Sequence, residues 1–175
     1  MADVPGRTFP NVVLRTQDDK PVRFYNDLLK GRVVMINFFY TTCTGTCSAT
    51  TQNLSRVIDG MGDRFEKEVV MLSITVDPDH DTPAALKAYA RSHATKPGWY
   101  FLTGKLRDID LIRDAIGARD RYNREGPHTS VLVYGNAETG QWATAPAQGD
   151  PGLILSSVMR LVDLAQRQRS GGPTG

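Results

Sequence analysis

The sequence predicts an α/β fold built on one central sheet of mixed direction. Three observations carry that expectation. Short runs rich in β-branched and aromatic residues alternate with segments whose apolar residues recur every three or four positions. A period-two hairpin pattern occupies residues 11 to 25, and a second hairpin signal follows at 129 to 144. No linker or internal repeat divides the 175 residues, so one domain is expected over 9–166, with 1–8 and 167–175 as flexible termini.

Taken in order, the first residues read as loose until Phe9-Pro10-Asn11-Val12-Val13-Leu14, which has strand character. Thr16-Gln17-Asp18-Asp19-Lys20 is a turn signal, and Pro21-Val22-Arg23-Phe24-Tyr25 alternates as the hairpin partner. Asn26 to Gly31 reads as a short helical turn closed by glycine. Val33 to Phe39 is continuous, β-branched and aromatic, the pattern of a strand buried on both faces. A helical period then begins, with Leu54, Val57, Ile58, Met61 and Phe65 on one face and Ser48 suited to cap it, so the helix should start at or just after Cys47.

Val69 to Val76 is a second buried strand, ending in Asp77-Pro78-Asp79-His80-Asp81-Thr82-Pro83. Asp81 or Thr82 is placed to cap the next helix and Pro83 suits its first position. The inner face of that helix is Leu86, Tyr89 and Ala90, and it stops before Lys96-Pro97-Gly98. Trp99 to Leu102 is a short strand, followed by an amphipathic helix from about Leu106 to Ile116 with Ile109, Ile112 and Ile116 inward. A polar loop, Arg119 to Pro127, precedes His128. Thr129 to Tyr134 is a strand, Gly135 to Gly140 a turn, and Gln141 to Thr144 its partner. Pro151 opens the last helix, with Leu153, Ile154, Val158, Leu161, Val162 and Leu164 on its apolar face and a Gly/Pro-rich tail from Arg169.

Composition narrows the function. With 40% hydrophobic and 23% charged residues the chain has ordinary globular composition, not that of a disordered protein. A formal charge of +2 is too mild for a nucleic-acid or anionic-membrane surface, and no basic stripe is interleaved with aromatics; no nucleic-acid partner is expected. There is no 18-residue apolar run and no signal-peptide pattern, so no membrane anchor is present in this chain. Such a chain works in the cytoplasm or follows an export or anchor segment.

The two cysteines, Cys43 and Cys47, stand between the buried strand and the helix, where free N–H groups and the helix dipole favour a thiolate. A disulfide between them would close a very small loop and stabilise little, which points to chemistry instead of a staple. With three residues between them, both sulfurs can face one side, to bond to each other or to share a soft metal. The spacing is one residue longer than Cys-x-x-Cys. His128 opens a later strand at the sheet edge where the Cys43 loop also lies. Two thiolates and one imidazole make a trigonal site suited to Cu(I), which holds Cu(II) with a further weak ligand. On position alone, however, a histidine at a strand start is more often a surface or packing residue. A structural zinc site would want a fourth ligand, and none is evident.

Asp77 ends a strand near this edge and equally suits a turn or cap. His80 and His93 read as solvated, and Asp79 and Asp81 as turn and cap residues more than as a carboxylate pair. Trp99, Tyr122 and Trp142 read as packing residues, with Tyr122 close enough to the His128 loop to line the site. Arg119 to Arg124 is a solvated charged loop, with docking of an acidic partner as the lesser reading.

Four motifs taken together resemble the Sco (SenC) family over about residues 9 to 166: Phe38-Phe39-Tyr40-Thr41-Thr42-Cys43-x-x-x-Cys47, Val76-Asp77-Pro78-Asp79-His80-Asp81-Thr82-Pro83, Trp99-Tyr100-Phe101-Leu102-Thr103-Gly104, and His128-Thr129. The resemblance implies a thioredoxin-like fold with a mixed central sheet flanked by helices, the first hairpin being an N-terminal extension. It implies a copper site made by Cys43, Cys47 and His128, with the aspartate at Asp77 close to the metal loop. The implied role is delivery of copper to the binuclear copper site of cytochrome c oxidase, or reduction of its cysteines, the partner being that copper-site subunit or another copper or redox protein. Family members are usually membrane-anchored and face the periplasm or the mitochondrial intermembrane space. This chain departs from the pattern in having Ser48 where proline often follows the second cysteine, and Thr44-Gly45-Thr46 between the cysteines where proline and acidic residues are usual. Gly45 widens the range of sulfur–sulfur distances open to the loop.

Two other functions use the same residues. In a thiol–disulfide oxidoreductase, Cys43 and Cys47 form a reversible redox pair in which one attacks and the other resolves, with His128 tuning the thiolate. A peroxiredoxin-like enzyme would want proline and threonine ahead of its cysteine, and Thr41-Thr42 supplies only half of that. His128 separates copper handling from thiol exchange, because exchange has no strict need for an imidazole there.

Overall fold

The computed structural model describes residues 2–4, 7–43, 46–117 and 131–171. At its centre β5 (Val33–Phe39), buried at all seven positions, pairs in parallel with β6 (Val69–Thr75), which pairs in parallel with β7 (Trp99–Thr103). On its other side β5 pairs antiparallel with β8 (Val131–Asn136), which turns back into β9 (Gln141–Pro146). The hairpin β3 (Val13–Thr16) and β4 (Pro21–Arg23) joins the same sheet antiparallel to β7. The order is therefore β4-β3-β7-β6-β5-β8-β9, the mixed direction expected. Helices α1 (Thr46–Asp59), α2 (Pro83–Ser92), α3 (Leu106–Ala115) and α4 (Pro151–Ser170) complete the fold.

Alternation along the strands divides the core into two layers. Val34, Ile36 and Phe38 of β5, with Val70, Leu72 and Ile74 of β6, pack with Ile109 and Ile112 of α3. Val33, Met35 and Phe39, with Val69 and Met71, pack with Leu54 and Ile58 of α1, Leu86 of α2 and Ile154 and Val158 of α4. The second layer also buries polar groups. Ser73 Oγ donates to Asn37 Oδ1 at 2.6 Å, and Trp99 Nε1 donates to Ser73 Oγ at 2.9 Å, which links β5, β6 and β7 side by side. Each such group is hydrogen-bonded, as burial requires.

Local chemistry explains the element ends. Thr82 Oγ1 accepts from the Ala85 N–H at 3.3 Å with Pro83 next in line, and Asp150 Oδ1 accepts from the Leu153 N–H at 3.0 Å ahead of Pro151. Caps of this kind contribute about 1 kcal/mol each. The turn at Asn26 to Gly31 is a π-helical turn, Phe24–Leu29, and Gly31 takes a positive φ of 79° just after it.

The structure corrects several sequence expectations. The helix carrying Cys47 starts at Thr46, so Ser48 is an exposed residue within its first turn and not its cap. It ends at Asp59; Met61 and Phe65 are buried but lie beyond it, either side of the short 3-10 turn Gly62–Arg64. Leu153 is 70% exposed, because the α4 stripe that meets the sheet is Ile154, Val158, Val162 and Ala165. At the ends, β1 (Ala2–Val4) pairs antiparallel with β2 (Arg7–Phe9), and α4 runs on to Ser170, where a loose start and a tail from Arg169 are expected. Gly135 belongs to β8 and not to the turn.

Candidate functional site

The C-terminal ends of β5 and β6 and the start of β8 meet at one edge of the sheet, since β6 is parallel and β8 antiparallel to β5. The Val76 N–H donates to the Phe39 carbonyl at 2.9 Å, carrying the β5–β6 pairing one step further. There the chain leaves β5 and turns, the Cys43 N–H donating to the Tyr40 carbonyl at 3.2 Å. Cys47 lies in the first turn of α1 with 6% of its surface exposed, and Cys43 is half-buried. The two are joined by a disulfide, with 6.0 Å between their Cα atoms. Of the two arrangements open to the sequence, this is the oxidised one. Once reduced, the same separation lets both sulfurs reach one ion, and two thiolates at a helix N-terminus are a donor set that favours soft copper.

The residue that sequence reasoning missed is Asp81. Its carboxylate is fully buried, the only buried carboxylate among the described residues. It accepts from the Thr41 N–H at 3.1 Å, from the Thr41 hydroxyl, and from Thr75 Oγ1 at 2.5 Å. Thr75 Oγ1 in turn accepts from the Asp77 N–H at 3.0 Å. Thr82 alone caps α2, so Asp81 is not the cap that its position before Pro83 suggests. Nothing local could have paired Asp81 with Thr41, forty residues away; only the parallel pairing of β5 with β6 brings their ends together.

Helix α1 is fastened on two sides. Asn53 Nδ2 donates to the carbonyls of Ala147 at 2.9 Å and Gly149 at 2.8 Å, and Gln148 Nε2 donates to Thr50 Oγ1 at 3.1 Å. On the α2 side the Tyr89 hydroxyl lies 2.8 Å from Thr51 Oγ1 and makes a long 3.5 Å contact to the Cys47 carbonyl. Burial raises the Tyr89 pKa, so this hydroxyl stays protonated and able to donate. The Tyr89 ring packs against Phe39, Phe101 and His93 with centroids 5.2, 5.8 and 4.3 Å away. His93 is thus a half-buried packing partner and not the solvated residue expected.

Asp77 is half-buried at the end of β6, and its carboxylate pairs with the imidazole of His80 at 3.0 Å. His80 is 72% exposed, as expected, and Asp79 is exposed in the same turn. Trp99 is a core residue, and Trp142 packs on Phe9 with ring centroids 5.2 Å apart. His128, Tyr122, the loop Arg119 to Arg124, and Thr44-Gly45 lie outside the described residues. Among those described, no three His, Cys, Asp or Glu side chains are grouped to hold a metal.

The hydrogen bond and charge of Asp77, aided by Asp79 and Asp81, raise the His80 pKa. An imidazolium stabilised this way contributes below the ordinary histidine pKa, and its contribution is lost as pH rises through the raised value. An NMR titration should accordingly find the His80 midpoint lower in Asp77→Asn than in the wild type. An unchanged midpoint would rule out the pairing.

The SCO1/SenC family model matches residues 11–162. The chain belongs to the SCO1/SenC family. Among its relatives, the SCO1 protein homolog of Bacillus subtilis is 32% identical over 104 residues, 58% of this chain and 49% of that protein. The chain spans about half the length of the curated relatives it matches. Bradyrhizobium japonicum ScoI, solved with copper bound, is 25% identical with a TM-score of 0.65, covering 85% of this chain and 96% of that one. BsSco, described as a member of the Sco family of cytochrome c oxidase assembly proteins with a disulfide switch, is 21% identical with a TM-score of 0.75, covering 94% and 98%. At that identity the likeness speaks for the fold, which is the thioredoxin-like fold expected: a mixed seven-stranded sheet flanked by helices. Among the described residues, no helix of this SCO1/SenC protein is long and apolar enough to cross a membrane.

Proposed function

We propose that residues 9–166 act as one copper-handling unit. In it, reduced Cys43 and Cys47 bind copper together with His128, and the metal passes to the binuclear copper site of cytochrome c oxidase, or to another copper or redox protein. The observation that carries this reading is the pairing of Cys43 with Cys47, one in the turn that leaves the central strand and one in the first turn of α1, in a chain of the SCO1/SenC family. Copper bound in the Bradyrhizobium relative supports the choice of metal. Chain order supports the third ligand: β8 begins at Val131, on the edge where β5 ends, and His128 stands three positions before it in the sequence. Asp77 is a neighbour to this set through the end of β6. A SCO1/SenC family lipoprotein from Bacillus anthracis among the similar structures supports a place in the periplasm or at the periplasmic face of a membrane.

Thiol–disulfide exchange is the second reading, favoured by the bonded pair itself. Titration of the reduced protein with copper separates the two. About one copper per chain is expected, with sulfur-to-copper charge-transfer absorption for Cu(II). His128→Ala should weaken binding at least about 10-fold, as loss of a ligand must do at least as much damage as loss of a group that merely orients one. Absence of copper uptake by the reduced wild type would sink the copper reading. Disulfide reductase turnover indifferent to His128 would favour exchange.

A further inference from the structure

The two cysteines are held in different ways. Cys47 is part of α1, and α1 is bound through Asn53, Thr50 and Thr51 to the segment before α4 and to α2. Cys43 follows a turn, and two positions before it Thr41 gives both its N–H and its hydroxyl to Asp81. The third donor to that carboxylate, Thr75 Oγ1, is the last residue of β6, so Asp81 ties the approach to Cys43 onto the end of a core strand. All three donors are neutral. A fully buried carboxylate is costly unless its hydrogen bonds are kept, so its solvation depends on Thr41 staying in place.

We propose that Asp81 is the positioning residue of the thiol pair: through Thr41 it fixes the chain ahead of Cys43, and so sets how readily the disulfide opens and how well the two sulfurs converge after reduction. The inference rests on the reading that Cys43 and Cys47 form a reversible pair. In the step it tunes, a dithiol reductant gives up two electrons and two protons. The Cys43–Cys47 bond breaks, each sulfur takes a proton, and the reductant leaves as its own cyclic disulfide. Holding Cys43 near Cys47 raises their effective concentration toward one another and favours the closed bond. Freeing Thr41 therefore favours the open dithiol.

The test is equilibration of the full chain with mixtures of reduced and oxidised dithiothreitol, reading the fraction of disulfide in wild type, Thr41→Val, Thr41→Ser and Asp81→Asn. Thr41→Val and Asp81→Asn should each shift the equilibrium toward the dithiol by about tenfold, equivalent to about 30 mV for a two-electron couple. Thr41→Ser keeps the hydroxyl and should stay within about twofold of wild type. Should Asp81→Asn fail to fold, the two Thr41 variants decide. A Thr41→Val equilibrium within about twofold of wild type, with or without a lower melting temperature, overturns the proposal, and so does a Thr41→Ser shift as large as that of Thr41→Val. Copper titration of the reduced proteins separates this outcome from the function itself. A shifted Thr41→Val in a chain that takes up no copper leaves the positioning role and removes copper handling; copper uptake with no shift does the reverse.

Discussion

Cys43→Ser and Cys47→Ser should each abolish copper uptake by the reduced protein while leaving it folded. The disulfide closes a loop only a few residues long, for which the chain-entropy treatment gives a stabilisation of about 2 kcal/mol. The core does not depend on it: β5 and α1, whose junction the bond spans, are already held together by Val33, Met35 and Phe39 packing with Leu54, Val57 and Ile58. In the proposed copper site, in contrast, each sulfur is half of the thiolate set. Replacing it by a hydroxyl exchanges a soft, readily ionised donor for a hard, protonated one at the position where copper needs the former. Losses of groups that only orient a ligand typically cost about 10–100-fold in metal affinity, so loss of a thiolate should exceed about 100-fold and eliminate the charge-transfer band. Titration monitored by absorbance, with circular dichroism on the same samples, checks both halves. A serine variant that still binds copper within about 10-fold of wild type would remove that cysteine from the site.

Gly135→Ala should be the most damaging single-methyl change to the fold. Gly135 is buried in β8, directly opposite Trp142 of β9, and a Cβ there would stand 2.5 Å from the Gln141 carbonyl oxygen and 2.5 and 2.6 Å from two carbons of the indole. The indole lies over the bare glycine and packs on Phe9, which is fully buried. A carbonyl of the paired strand cannot retreat without breaking the hairpin's ladder, so the added methyl is not absorbed by a side-chain rotation. Overpacking of this kind costs about 3 kcal/mol at its upper range, which in a chain of this size lowers the melting temperature by about 6–12 °C. Thermal unfolding of Gly135→Ala, alone and combined with Trp142→Ala, measures it. The double variant should recover part of the loss, since the indole but not the carbonyl has been removed. A melting temperature unchanged in Gly135→Ala would show that the hairpin gives way freely.

The same glycine shows where sequence reasoning reaches its limit. Gly135 reads as the first residue of a turn because glycine usually punctuates, and it is in the strand because an indole needs the space. Strands 33–39 and 69–75 were legible because burial on both faces leaves a nearly continuous apolar run, broken only by Asn37 in the first and by Ser73 and Thr75 in the second. The start of α1 was displaced because Ser48 is a good cap in isolation, while the chain enters the helix two residues earlier, bringing Cys47 inside it. At the site, the cysteines announce themselves by their spacing. Asp81 does not, because its partners are Thr41 in the turn after β5 and Thr75 at the end of β6, and an aspartate before Thr-Pro has a ready local explanation as a cap. Leu153 fails for a related reason: one position on a helix separates the stripe that meets the sheet from the solvent side, and the period alone does not say which edge is buried.

Judged by their apolar residues alone, β5 and β6 could slide past one another by two residues and still show the same faces to the helices. The bond from Ser73 to Asn37, itself held by the indole of Trp99, makes such a slip strand a polar group in hydrocarbon at each step. It acts as a vernier for the sheet. Because Phe39 ends opposite Thr75 in that alignment, Thr41 meets Asp81 and the thiol loop emerges at one height along the strands. A fault in the middle of the core would thus be read out as a misplaced thiol at its rim.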